Sequence, residues 1–164
     1  MGRIFRSFFL PLPVFSSSAI ARSGTKLLTA FNYIMTIFSK IIAGQIPSYK
    51  IAEDDMFFAF LDIAPLRQGH TLVVPKIETD KFFDMPNDYL ARILLFSKPI
   101  ANAIEKAFTC NRCGLTVIGL EVPHAHLHLI PIDSVHDMDF KKQKLKLSPE
   151  EFNATQQKII SNLL

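Results

Sequence analysis

Three histidines alternate with apolar residues in the segment His124-Ala-His126-Leu-His128-Leu-Ile130. Alternation at period two is the pattern of a half-buried β-strand. Successive strand side chains point to opposite faces, so the three imidazoles share one face and Ala125, Leu127 and Leu129 share the other. Same-face neighbours on a strand stand roughly 7 Å apart, two rises of about 3.3 Å each. A row of titratable rings backed by an apolar face makes a poor core and a good site. Histidine is seldom buried without a partner, and it changes charge near neutral pH.

The remaining patterning supplies a small sheet and one long helix. Residues 37–43 read as a short amphipathic helix ended by Gly44 and the turn at Pro47. Residues 49–52 and 56–61 read as strands joined by the acidic turn Glu53-Asp54-Asp55, and His70–Pro75 reads as a third strand rich in Thr and Val. From Pro86 to Phe108, apolar residues recur at three- and four-residue steps through Leu90, Ile93, Leu94, Ala101 and Ile104. Pro86 suits the first turn, and Pro99 is expected to kink the helix. Residues 115–119 and 124–130 complete five strands. Ser148-Pro-Glu-Glu151 is a capping box opening a helix to about Leu163. The run from Lys141 to Lys146 reads as a solvated connection. The expected class is α+β: a five-stranded, mainly antiparallel sheet with one long helix and short terminal helices.

Composition narrows the setting. The 164 residues suit one domain, and 49% apolar with 20% charged residues is a globular balance. The formal charge of +3 is uneven: residues 1–34 hold Arg3, Arg6, Arg22 and Lys26 and no acid. The basic pI therefore belongs to that segment and is no sign of nucleic-acid binding. Residues 1–34 are read as an extension upstream of a domain at 35–164, with Met35 the favoured start. An organellar (for example mitochondrial) transit peptide or a signal peptide are the alternatives. The expected location is cytoplasmic. No run of about 18 apolar residues exists to cross a membrane. Cys110 and Cys113 lack the second pair that a zinc site needs, and they read as a turn entering a strand.

A row of histidines supports nucleophilic attack, stabilisation of phosphoryl charge, or zinc ligation. The surroundings of the row resemble one family. The segment His124–Ile130 is similar to the His-φ-His-φ-His-φ-φ motif of the histidine triad (HIT) family, in its nucleotide-binding, phosphoramidase-type branch. Ile37-Phe38…Pro47 resembles the family's opening helix and turn, and Glu53…Asp62-Ile63…Gly69-His70…Lys76 resembles its central hairpin.

The resemblance implies a nucleotide hydrolase or transferase acting at an α-phosphate. His126 would attack phosphorus and form a nucleotidyl-histidine. His124 and His128 would orient that ring and hold phosphate oxygens, and His70 would support the row. Asp62 would accept hydrogen bonds from the ribose, as an acceptor-only carboxylate can. Ile37, Phe38, Phe60 and Ile63 would enclose the base. A purine nucleotide or nucleotide conjugate is the implied substrate and a homodimer the implied assembly, and no metal or other cofactor is implied.

Two departures from the family pattern stand out. In Gly119-Leu-Glu-Val-Pro123, Leu120 replaces a polar amide, and Glu121 replaces a hydroxyl that assists the leaving group. Thr116 is aligned, across a gap, with an Asn of the family. Thr36 and Ser39 stand where some bacterial relatives carry a zinc-binding Cys pair, so that zinc is not expected. Two other readings stay open: zinc held by His124, His126 and His70, and a nucleotide-binding protein with little catalysis.

Overall fold

The computed structural model describes residues 35–163, and the extension expected at residues 1–34 lies outside them. In chain order the elements are α1 (Ile37–Ile42), β1 (Lys50–Glu53), β2 (Phe57–Leu61), β3 (Thr71–Pro75), α2 (Asn87–Ala107), β4 (Arg112–Thr116), β5 (Leu127–Ile132) and α3 (Pro149–Ile160), with 3₁₀ turns at Phe82–Asp84 and Val135–Met138. The five strands form one sheet in the order β1-β2-β3-β5-β4, antiparallel at every junction. The α+β class and its five-stranded antiparallel sheet are as expected.

Every residue of β2 and β3 is buried, because both faces of the sheet are covered. On one face Phe57, Ala59, Leu61, Val73, Ala125, Leu127 and Leu129 pack with Ile93, Ile100 and Ile104 of α2 and with Phe152 and Ile159 of α3. On the other, Phe58, Phe60, Leu72 and Val74 pack under Phe38 of α1. Burying such side chains contributes about 1.5–3 kcal/mol each, so the two layers fix the sheet between them.

Helix α2 begins at Asn87, with Pro86 as its N-cap. Its buried stripe runs through Ile93, Ser97, Ile100, Ile104 and Ala107. Leu94, expected on that stripe, lies about 100° further round and is 54% exposed. Pro99 sits inside the helix on the solvent side, four residues beyond exposed Leu95, so the carbonyl it cannot serve faces water. Helix α3 opens with the full capping box, the Ser148 hydroxyl accepting from the Glu151 N–H and the Glu151 carboxylate from the Ser148 N–H.

Two strands differ from the sequence reading. β4 runs Arg112–Thr116, not 115–119. The Asn111 N–H, held by the Ile132 carbonyl and the Asp133 carboxylate, sets its start, and Gly119 at φ +67° is already beyond it. β5 runs Leu127–Ile132, so His124 and His126 precede the strand. Pro75 explains this: it ends β3 without an N–H to offer, so the β3–β5 ladder closes at Val73↔Leu127. The Ala125 N–H turns instead to the Thr79 carbonyl at 2.6 Å.

Candidate functional site

The strand registers place Phe60, Leu72, His128 and Thr116 in one row across four strands. The His126 ring lies beside that row, its centroid 4.9 Å from that of His128, on the segment just ahead of β5. Phe38 meets the row from α1, edge-on to Phe60 at 5.6 Å, to His126 at 5.2 Å and to His124 at 5.8 Å. Its helix is capped by Thr36, whose hydroxyl oxygen accepts from the Ser39 N–H and bonds His124 Nδ1 at 2.8 Å. One residue thus starts the helix and anchors a histidine.

The hydrogen bonds assign the ring protons. His124 Nε2 lies 2.9 Å from the Pro75 carbonyl and must donate to it, which leaves Nδ1 to accept from the Thr36 hydroxyl. His126 Nδ1 lies 2.6 Å from the His124 carbonyl and also donates, so Nε2 carries a lone pair. The Leu66 N–H donates to His70 Nδ1 at 3.2 Å, so the His70 proton sits on Nε2. That nitrogen donates to His128 Nδ1 at 2.9 Å, which puts the His128 proton on Nε2. His126 and His128, side by side, thereby present opposite chemistry: a lone pair and an N–H.

Burial disfavours the charged form of His70, His124 and His128. It lowers His70 from 6.5 to about 3, with the Lys144 cation and His126 adding to the effect. It lowers His128 to about 3 as well, with His70 and His126 adding. His124 is lowered mainly by burial, partly offset by its bond to the Pro75 carbonyl. The Asp62 carboxylate, 3.4 Å from His70 Nδ1, therefore faces a neutral ring. Its other oxygen accepts the Ala64 N–H at 2.9 Å and fixes the loop.

Two clefts meet at His126 and His128. The first, about 270 Å³, is largely apolar: Ile37, Phe38, Phe60, Ile63 and Leu72 line it, with Asp62 among them. The second, about 340 Å³, is lined by Ile118, Leu120, Phe140, Lys141 and Lys144. Asp62, Ala64 and Glu121 line both.

Of the residues singled out in the sequence, His126, His128, Asp62, Ile37, Phe38, Phe60, Ile63 and Glu121 come together here. His70 lies behind His128, fully buried. His124 lines neither cleft, and both its ring nitrogens are engaged with protein groups. Thr116 is level with His128 in the register but outside both linings. Glu121 is exposed on the rim, so the burial that would make it a proton donor is missing.

Sequence reasoning missed Phe140 and Lys144. Phe140 packs edge-on against His128 at 4.9 Å, and Lys144 lies 4.8 Å above the Phe140 ring. The run 141–146 is thus not wholly a solvated connection. An aromatic four residues before a lysine was the available signal, and the charges around it hid it.

The zinc set His124, His126 and His70 does not converge. Among the described residues, the donors that do approach one another are Asp62, His70 and His128, within 4.8 Å. Both His70 nitrogens are already bonded there, so an ion would have to displace the Leu66 or the His128 contact. Cys113 is pushed up to about 12 by burial and by the Glu105 carboxylate, and Cys110 is raised for the same reasons. A redox or metal-binding pair needs the opposite shift.

Comparison with known proteins agrees with this geometry. The HIT domain model matches residues 43–135. An uncharacterised HIT-like protein of Borreliella burgdorferi is 38% identical over 135 residues, 77% of this chain and 97% of that protein. The adenosine 5'-monophosphoramidase hnt1 of Schizosaccharomyces pombe is 33% identical over 129 residues, again 77% of this chain and 97% of that protein. The crystal structure of a Hit-like protein from Bartonella henselae superposes with a TM-score of 0.67 at 30% identity, covering 77% of this chain and 95% of that one. With a family match over more than half its length and relatives of 30% identity or more that it spans almost end to end, this chain belongs to the HIT family.

Proposed function

We propose that this protein hydrolyses nucleotides at the α-phosphate, with phosphoramidates of a purine nucleoside as substrates and His126 as the nucleophile. The observation that carries the reading is the 2.6 Å bond from His126 Nδ1 to the His124 carbonyl, which in the neutral ring places the proton on Nδ1 and the lone pair on Nε2, in a ring open to both clefts.

In the first step Nε2 bonds to phosphorus and the P–N bond of the substrate breaks. The amine nitrogen keeps the electron pair and takes a proton from water at the open rim near Glu121. In the second step water adds to phosphorus and the bond to His126 breaks. The nucleoside monophosphate leaves, and Nε2 recovers its lone pair. The His128 Nε2–H donates to a phosphoryl oxygen throughout, held in that tautomer by His70 and Leu66. His124 acts by its carbonyl and its fixed position. The base fills the apolar slot under Phe38, and the Asp62 carboxylate accepts from the ribose hydroxyls. The resemblance of S. pombe hnt1, named an adenosine 5'-monophosphoramidase, supports the substrate class.

The assembly we propose is a homodimer. Among the described residues strand β4 has an unpaired edge, Leu115 is exposed on it, and α2 exposes Leu94 and Leu95. Residues 1–34 are proposed as an extension outside the catalytic domain, and the location as cytoplasmic. No helix among the described residues is long and apolar enough to cross a membrane.

Incubation with an adenosine phosphoramidate, acid-free quenching and intact mass measurement test the mechanism. Wild-type protein is expected to carry a nucleotidyl group on His126. His126→Ala is expected to lose at least about a thousandfold in kcat with an unchanged Tm. Normal turnover in that variant would exclude His126 as nucleophile. The exposed Glu121 favours a second reading, nucleotide binding with slow turnover, because a carboxylate beside the phosphate repels it. Calorimetric binding of a nucleoside monophosphate without turnover of the phosphoramidate selects that reading.

A further inference from the structure

We propose that the cleft formed by Phe140, Lys141 and Lys144 selects a leaving amine that bears an acidic substituent. The inference rests on the nucleotidyl-transfer reading above and specifies its substrate. The two clefts that meet at His126 and His128 are chemically unequal. The apolar slot contains no lysine, whereas the second cleft contains two. Among the described residues neither lysine forms an ion pair, although Lys50, Arg67 and Lys76 all do. Asp62 and Glu121 line both clefts, so they do not account for the difference.

Lys144 is half-buried and seated over the Phe140 ring at 4.8 Å, and Phe140 is braced against His128 and His70. Its ammonium is therefore held near the reacting centre and is not left to sweep through solvent. With the nucleoside in the slot, in-line attack by His126 Nε2 expels the amine from the opposite face of phosphorus, and of the two clefts that meet at His126 and His128 the second is the one left open to receive it. As the P–N bond breaks, the nitrogen takes its electron pair and a proton from water. The acidic substituent stays ionised against Lys144, with Lys141 beside it.

Three adenosine phosphoramidates decide the matter: those of glycine, of glycinamide, and of aminomethylphosphonate. Glycine and glycinamide differ in charge at nearly constant shape. Wild-type kcat/KM is expected to favour glycine over glycinamide about tenfold at low salt and less as salt screens the pair. The glycine-to-glycinamide ratio decides the proposal, and the phosphonate arm then ranks phosphate-like against carboxylate anions. Lys144→Gln is expected to bring the glycine-to-glycinamide ratio close to one, and Lys144→Arg to retain it. A wild-type ratio within twofold of one, independent of salt, overturns the proposal, as does an unchanged ratio in Lys144→Gln. The glycinamide substrate keeps the two readings apart: its turnover without an acid preference sinks this inference alone. Turnover of none of the three sinks the hydrolase reading and this one with it.

Discussion

One backbone N–H, that of Leu66, determines which nitrogen of His128 faces the clefts with a proton. It occupies His70 Nδ1, His70 passes the constraint to His128 Nδ1, and the free Nε2–H is the outcome. Removing the relay with His70→Ala leaves a buried acceptor on His128 and a buried donor on Leu66. The expected cost is about 1–3 kcal/mol for each lost partner, measurable by urea denaturation. The same rings set an acid limit. In the unfolded chain they titrate near 6.5, and in the folded chain near 3. Between those values the unfolded state binds more protons, so stability falls as pH drops from about 6.5 towards 3. Denaturation midpoints at pH 7 and pH 4.5 are expected to show this loss, and His128→Gln is expected to reduce it. The paired histidines, Asp62 and the apolar wall were legible because each lies in a short motif of characteristic chemistry. Leu66, Phe140 and Lys144 were not: Leu66 acts through a backbone N–H that leaves no side-chain signature, and the Phe140–Lys144 pair reaches the histidines only once the chain has folded back on His70 and His128.

Elements governed by local rules were legible too. The Ser148 box predicted α3, the acidic turn predicted the β1–β2 hairpin, and Thr and Val predicted β3. Their stabilising contacts lie within a few residues, where composition speaks directly. β4 and β5 were displaced because their limits depend on partners elsewhere: Asp133 for one and Pro75 for the other. Gly69 shows how such partners constrain a junction. It holds φ +95° just before β3, and a Cβ there would meet the Phe108 ring at 2.6 Å. Gly69→Ala is expected to cost about 2–3 kcal/mol through left-handed strain and overpacking, read as a lowered Tm. Because Gly69 adjoins His70, the same substitution is expected to lower kcat more than it raises KM.

On the scale of the whole molecule, among the described residues one face of the sheet is closed by α2 and α3 and the other only partly by α1, which leaves room for the clefts. Among the described residues nothing covers the outer side of α2 or the free edge of β4. Leu94→Asp is expected to convert the dimer to a monomer in light scattering, with the far-ultraviolet spectrum unchanged. A wild-type protein that is monomeric at micromolar concentration would remove the proposed assembly. This level was the least legible, since a helix stripe misread by one residue, at Leu94, hides an outward face inside the core. The interruption at Pro75 reaches further than its own strand. Where the β3–β5 ladder ends, the chain ahead of β5 is released from the sheet, and there the His124 carbonyl grips the imidazole two residues on; the place where one ladder stops is the place where the reacting nitrogen is aimed.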